Sequence, residues 1–548
     1  MNKIFILLSC SLSPDTKRDD EMKVLKRRQF LKYSGLGLAA IYVGGCGGGG
    51  GGGGNGGTGG DDDDLPAGGG NDEVAATLNF TITDAVKEMI THEPLSQGGG
   101  EALCYFWAYQ VSDATDPENV VDFPVDCPGP QIFATEGDRI ALRVTNTLDV
   151  PHAFFIEGLV DSGPIEPGET WEGEFEAKDT GVFLYHDNLN APVNRVMGLH
   201  GALVVMPKEA SGDRWTPYKD PTQAVQQLFD DFGSAPWWPG LAWEEGDVRP
   251  ASFVEPFRQY VWLCHQASPV LFAEVGRHHE NNPGVEFDAA TFVEAFLNDP
   301  FINTSNDPRT DPGVGLPKTE NFNRKPHFFT INGQSGFFAH HNPAITPFHR
   351  IGEPTLVRIL NAGMTVHSLH LHANHFFVTA VNNEAQENPL WVDVYNVFPM
   401  DHVDYTIPFM RPPDIPNQRG IGRADAGRST AGGGTTWPPL EEFDRFFPPQ
   451  GTMVQSYDDP NVLVDVGMRQ SPLCYPMHDH TEASQTAQGG NYNSGMIAGI
   501  YFIGDRNTPG QMNFPLEPEF EMMLMLGRRV GVTGSPAGGW PDGSTTES

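Results

Sequence analysis

The sequence predicts an all-β protein built as two β-sandwich domains. Three observations point there. Glycine (63) and proline (46) are abundant among the 548 residues, which argues against long helices and for short strands joined by turns. Short runs rich in β-branched and aromatic residues recur between clusters of turn residues. These runs fall in two blocks, parted by a stretch with no clear period.

The first block, 77–207, has runs at 103–110, 139–145, 170–176, 181–185 and 202–205. Residues 208–255 are rich in Trp, Pro, Asp and Glu and read as a connecting excursion. The second block, 256–505, has runs at 258–263, 327–332, 355–361, 376–381, 392–398 and 496–503. The tail, 506–548, carries mixed signals. Hydrophobic residues at 39% and aromatics at 11% suffice for packed cores. Lys and Arg number 34 against 71 Asp and Glu, a net −37, which argues against a nucleic-acid binder because phosphate recognition needs a basic face. No run of about 20 apolar residues is present, so no transmembrane helix is expected. Six Cys are too few for a disulfide scaffold.

The N-terminal region reads as an address. Lys26-Arg27-Arg28-Gln29-Phe30-Leu31-Lys32 resembles a twin-arginine export signal; a short apolar stretch, 33–43, follows; Val43-Gly44-Gly45-Cys46 resembles a bacterial lipobox ending in the lipidated Cys46. Residues 1–45 are therefore set aside from the fold, with Met1 or Met22 as the start. Residues 46–76 form a tether, whose stretch 47–72, mostly Gly and Asp, has a reach of roughly 28 Å for about 26 residues. Beyond residue 45 the chain keeps 26 basic and 67 acidic residues, a net −41. Such a surface repels anionic lipid, so membrane contact would run through the lipid anchor only. The expected location is the periplasm or cell surface.

Several segments carry a resemblance. Cys127-Pro128-Gly129-Pro130-Gln131-Ile132, Glu136-Gly137-Asp138-Arg139 and Val144-Thr145-Asn146-Thr147-Leu148 resemble the opening of a multicopper oxidase. Gly198-Leu199-His200-Gly201-Ala202-Leu203-Val204-Val205 resembles the strand closing that family's first domain. Phe329-Thr330-Ile331-Asn332-Gly333 and Val357-Arg358-Ile359-Leu360-Asn361-Ala362-Gly363 resemble the start of its last domain, and His367-Ser368-Leu369-His370-Leu371-His372 matches its HxxHxH motif. The resemblance implies two cupredoxin-like Greek-key β-sandwich domains and copper.

Strand parity then sorts the ligands. Alternate side chains face opposite sides, so His370 and His372 share one face and His367 the other; His478 and His480 share a face, with Asp479 opposite. The resemblance implies His-Cys-His where this chain has His478-Asp479-His480, and a further blue-copper His where it has Ser484. A blue copper needs a soft thiolate, so none is expected. Cys474 has the parity of the His pair and cannot substitute; Asp479 is expected to hydrogen-bond His367 instead. In the first domain the family's His-x-His-Gly aligns on Phe155 and Glu157, and its His-x-His on His186-Asp187-Asn188; His152 stands where nitrite-reductase-like cupredoxins place a blue-copper His. The resemblance thus implies one corner of Glu157, His186 and His480, a second of Asn188, His372 and His478, and a third reduced to His370. Copper is favoured for such mixed ligands, one or two ions rather than four, with Glu157 as ligand or proton acceptor.

The leading expectation is a copper-dependent oxidoreductase that meets a small-molecule or metal-ion reductant directly. A non-enzymatic copper-binding protein and a structural protein with packed, metal-free histidines are the alternatives. Two-domain relatives form trimers, and the split of motifs between 186 and 370–480 suggests a homotrimer here. The longer loop after His480, through Tyr492, resembles bacterial relatives linked to metal oxidation. His278-His279 and His340-His341 are expected to be exposed pairs, and His200 structural; His375 and His402 receive no role. Cys104 with Cys127, and Cys264 with Cys474, are one of three possible disulfide pairings.

Overall fold

The computed structural model describes residues 40–42, 74–90, 101–207, 216–232, 259–298, 326, 328–351, 354–409, 453–455, 461–465, 474–486 and 495–505. Lys26–Lys32, Cys46, the tether up to residue 73 and the tail after 505 lie outside the described residues.

Four large sheets form two sandwiches. The first pairs a sheet ordered Ala40–Tyr42, Gln131–Thr135, His200–Met206, Gly181–His186, Phe155–Ile156, Val160–Asp161 with one ordered Val121–Asp122, Glu101–Asp113, Ala76–Ile90, Arg139–Asn146, Thr170–Glu176. Alternation drives this: Arg139–Asn146 buries every second residue, sending Ile140, Leu142 and Val144 inward. They meet Ile132, Ile156, Tyr185 and Leu203 from the facing sheet in one core.

The second sandwich pairs Phe328–Ile331, Gln259–Ala267, Thr355–Asn361, His402–Ile407, Phe376–Val381, Glu384–Val392 with Phe348–Ile351, Ile497–Asp505, Cys474–Asp479, His367–Leu371, Val394–Val397. Trp262, Val357 and Tyr405 on one side pack against Leu369, Met477 and Ile500 on the other. Both sandwiches are all-β and cupredoxin-like. The run read at 392–398 proves to be a crossing point. Glu384–Val392 pairs in one sheet with Phe376–Val381, and Val394–Val397 in the other with His367–Leu371, so the chain changes sheet at Asp393.

The sandwiches are joined by apolar packing of their neighbouring sheets. Phe133, Val182, Leu184 and Val204 share a cluster with Val261, Leu263, Leu356 and Leu360. This is why Gln259–Ala267 is buried along its whole length. Polar clasps fix the register. Asn382 and Asn383, both with positive φ, turn the hairpin after Val381. The Asn383 amide accepts from Val182 N (2.8 Å) and donates to Val182 O (2.9 Å). Gly181, at φ +142°, lies beneath it; a Cβ there would fall 2.4 Å from Asn383. Arg195 donates to the carbonyls of Ala362 and Gly363, the latter at 2.8 Å.

Three expectations are corrected. The excursion 208–255 contains a helix, Gln223–Phe232, whose Val225, Leu228 and Phe229 join the interdomain cluster, while Tyr218 donates to buried Asp404 (2.8 Å). A helix the strand patterns did not reveal, Pro269–Asn281, starts at Ser268, whose side chain accepts from Leu271 N. Its Leu271, Phe272 and Val275 complete the first domain's core. Finally, Ala40–Tyr42, set aside with the leader, forms a parallel strand on Gln131–Phe133, because Ile41 finds a buried apolar seat there.

Candidate metal centre

Adjacent antiparallel strands build the centre. His367–Leu371 lies beside Cys474–Asp479 with His370 opposite His478 and Leu369 opposite Asp479. Residues directly opposite share a face, so His370 and His478 emerge together, and His372 and His480 flank them. One nitrogen each from His370, His478 and His480 lie within 4.8 Å of one another. The His370–His480 ring centroids are 4.7 Å apart, and the His478 and His480 rings stack at 5.0 Å. His372 Nε2 lies 2.7 Å from His478 Nε2. His370 and His478 are half-buried; His372 and His480 are exposed. The cluster faces solvent.

Hydrogen bonds orient these rings. His370 Nδ1 donates to the Asp393 carbonyl (3.0 Å), at the point where the chain changes sheet, leaving Nε2 for the cluster. His478 Nδ1 donates to Asp479 O (3.3 Å), so its Nε2 accepts from His372. Burial, aided by the neighbouring rings His372, His480 and His370, pushes the His478 pKa down to about 4; His372 is lowered by burial and by His370 and His480. Both are neutral at neutral pH, the state that binds metal.

The opposite face is closed. His367 Nδ1 donates to Asp479 Oδ2 at 2.7 Å, and its Nε2 accepts from Gln266, so no lone pair is left. Both partners are fully buried. Asp479 Oδ1 accepts from Ser368 N (2.9 Å) and Thr481 N (3.0 Å). Burial raises the Asp479 carboxyl, but His367 and these hydrogen bonds outweigh it and hold the group below the usual carboxylate range.

The first domain repeats this device. His152 Nδ1 donates to Asp187 Oδ2 at 2.7 Å, again fully buried, and Asn194 donates to the same oxygen (3.0 Å). Sequence reasoning singles out His152 but misses its partner. The signal is present: His186-Asp187-Asn188 has the same His-Asp order as His478-Asp479-His480.

Residues 108–210 and 309–410 each match a family profile described as multicopper oxidase. Both matched segments belong to the multicopper oxidase family. "Multicopper oxidase MCE" of Talaromyces pinophilus is 33% identical over 95 residues, 15% of each chain. "Copper resistance protein A" of Pseudomonas syringae pv. tomato is 30% identical over 114 residues, 19% of this chain and 18% of that protein. The chain thus matches less than a fifth of the length of these curated relatives. Among solved structures, the blue copper oxidase from Nitrosomonas europaea superposes with a TM-score of 0.41 at 16% identity, covering 82% of this chain and 93% of that one.

Copper is the family's cofactor, and the donor set fits it: three clustered imidazole nitrogens on a solvent-facing sheet suit copper among the first-row metals. Among the described residues, the corner expected from Glu157, His186 and His480 does not come together as a ligand group. Glu157 is exposed at the end of Phe155–Ile156, and His186 pairs with Phe155, whose ring packs on it at 5.3 Å. His186 is buried with an unpartnered Nδ1, and Asn188 has a buried, unpartnered Oδ1. Neither joins the His370 group among the described residues.

The remaining histidine and cysteine expectations change too. His279 is buried against Trp107 (5.3 Å) with Asp149 at 3.0 Å, and His341 is buried against Phe337, because each ends a short helix that packs inward. Cys104, Cys127, Cys264 and Cys474 are all thiols rather than disulfides. Cys264 lies in the second domain's core, whereas Cys474 faces His340 at 3.6 Å.

Proposed function

We propose that this multicopper oxidase relative is a copper-dependent oxidoreductase whose substrate meets the metal directly at the face of His370, His372, His478 and His480. The observation that carries the reading is the contrast across one pair of strands: a solvent-facing histidine cluster on one side, a sealed His367–Asp479 pair on the other. Bound copper would supply one-electron exchange with a small-molecule or metal-ion reductant. His370, His478 and His480 would hold it, with His372 beside them. The Asp393 carbonyl keeps His370 Nε2 turned toward the cluster, and the Asp479 carbonyl does the same for His478. His372 Nε2 donates its proton to His478 Nε2, a proton that metal binding must displace. With acid in place of thiolate at residue 479, no cysteine links this face to a remote electron relay.

Among the described residues, His186 and Glu157 do not join the His370 group within one chain, which supports a homotrimer that brings them to a neighbouring subunit's cluster. Export by the twin-arginine route and lipidation at Cys46 complete the reading and place the protein in the periplasm or at the cell surface. A second reading, a copper-binding protein without turnover, draws on the same cluster and the missing thiolate.

The test is elemental analysis followed by oxygen consumption. Protein exported from copper-supplemented cells is expected to hold one or two copper ions and to consume oxygen with a phenol or a reduced metal ion. Copper without oxygen consumption favours the second reading. No copper at all overturns both.

A further inference from the structure

A second group of soft and imidazole donors lies where the two sandwiches meet, far from solvent. We propose that Cys127, His200 and His265 form a buried site for a monovalent copper ion that ties the two domains together. Their donor atoms lie within 4.8 Å of one another. All three residues are buried: Cys127 is 4% exposed, His200 0% and His265 2%. Cys127 precedes the Gln131–Thr135 strand and His200 opens His200–Met206, both in the first domain; His265 belongs to Gln259–Ala267 of the second. None of the three belongs to the copper-binding face described above, so this inference stands apart from the proposed function.

The site is built rather than accidental. His200 Nδ1 donates to the Arg195 carbonyl at 2.8 Å, and its Nε2 is buried with no partner. A buried imidazole nitrogen left bare costs free energy unless something occupies it. His265 Nε2 donates to the Val196 carbonyl at 2.8 Å, which leaves Nδ1 with its lone pair. Consecutive carbonyls of the Val193–Val196 helix thus aim two imidazoles into one space, the kind of outer hydrogen bonding that orients metal-ligating histidines. The rings sit 4.5 Å apart, centroid to centroid. Cys127 is held by Lys87, whose ammonium donates to Cys127 O (2.9 Å) and to Asp126 Oδ1 (2.6 Å). Metal bonds of about 2.0–2.3 Å require donors roughly 3.5–4 Å apart, so a closure of at most about 1.3 Å completes the site.

Charge selects the ion. Thiolate with imidazoles suits Cu(I) or Zn(II). A thiolate and two neutral imidazoles around Cu(I) sum to zero, whereas a divalent ion leaves a buried +1 close to Lys87 and Arg195, both of which act electrostatically on these ligands. An uncompensated buried charge is expensive. In the metal-free protein, burial pushes the Cys127 thiol up to about 12, so the metal replaces a proton there.

The experiment uses the full chain with His370, His478 and His480 all changed to Ala, so that the solvent-facing cluster cannot compete. It is titrated anaerobically with Cu(I) against a chromophoric Cu(I) chelator, and the bound metal is examined by X-ray absorption. One equivalent is expected, with one sulfur and two nitrogens in its shell. Adding Cys127→Ser removes the sulfur and lowers affinity more than 100-fold; adding His265→Gln lowers it more than tenfold. If Cys127→Ser fails to fold, His265→Gln and Cu(I)-dependent protection of Cys127 from alkylation decide the same question. A sulfur-free shell, a two-sulfur shell drawing in Cys104, displacement by equimolar Zn(II), or unchanged affinity in His265→Gln overturns the proposal.

Discussion

At the scale of single residues, the chemistry turns on Asp479. It stands between two solvent-facing histidines and points away from both, toward His367. His480→Ala should therefore remove most copper from the solvent-facing cluster, while His367→Ala should leave that copper in place; metal analysis of both variants in a Cys127→Ser background checks this. Losing a direct ligand should weaken binding by more than the ~10–100-fold typical of outer-shell changes. Copper loaded into that background should also show no intense blue absorption, since the cluster's donors are imidazoles and Cys474, on the same strand as His478, meets His340 instead; a strong blue band there would contradict the assignment. Removing the carboxylate is a matter of stability instead. Asp479→Ala leaves His367 Nδ1, Ser368 N and Thr481 N without their acceptor, and should cost about 3–5 kcal/mol in urea denaturation. The Asp479–His367 contact was legible from parity along a strand; the Ser368 and Thr481 donors were not. His265 was not, because nothing near it in sequence marks it as a ligand; its neighbours Cys127 and His200 are 138 and 65 positions away and are brought to it only by the packing of two domains.

At the scale of elements, alternation revealed strands but not where they change sheet. The run at 392–398 read as one strand because its residue types suit either face; Asp393, with its carbonyl taken by Leu371 N (2.8 Å) and His370, marks the crossing. The helices Gln223–Phe232 and Pro269–Asn281 escaped notice for a different reason. Each is short and lies among Pro, Asp and aromatic residues, so its apolar stripe becomes meaningful only once the sheets it covers exist. The four-residue helix Val193–Val196 matters beyond its size, because Arg195 on it donates to two carbonyls of the second domain. Burial lowers the Arg195 pKa to about 10, which still leaves it charged at neutral pH. Arg195→Met should cost about 3 kcal/mol for the lost charge-assisted hydrogen bonds, read as a lower urea midpoint with both sandwiches still folded in far-UV circular dichroism.

At the scale of the whole molecule, buried neutral histidines set the acid limit. Burial, with the nearby Arg195 and His402, pushes His186 down to about 4; burial pushes His265 to about 3 and His200 well below the usual histidine range. In the unfolded chain these rings take up protons near pH 6.5. Between about pH 6.5 and pH 4 the unfolded state therefore binds protons that the native state refuses, and native stability falls as pH falls. Above about pH 6.5 they contribute no slope. Denaturation of the metal-free protein at a series of pH values should show this break, and His265→Gln should make the acid-side slope shallower. The Ala40–Tyr42 strand carries a consequence of another kind. Its backbone lies along Gln131–Phe133 at the rim of the first sandwich. Cleavage ahead of Cys46 would strip that rim, baring a row of backbone donors and acceptors and the apolar seat of Ile41. The uncleaved and cleaved chains would then differ in stickiness, the one finished with its own Ala40–Tyr42 strand and the other presenting an open template to any extended segment within reach, including one from a second copy.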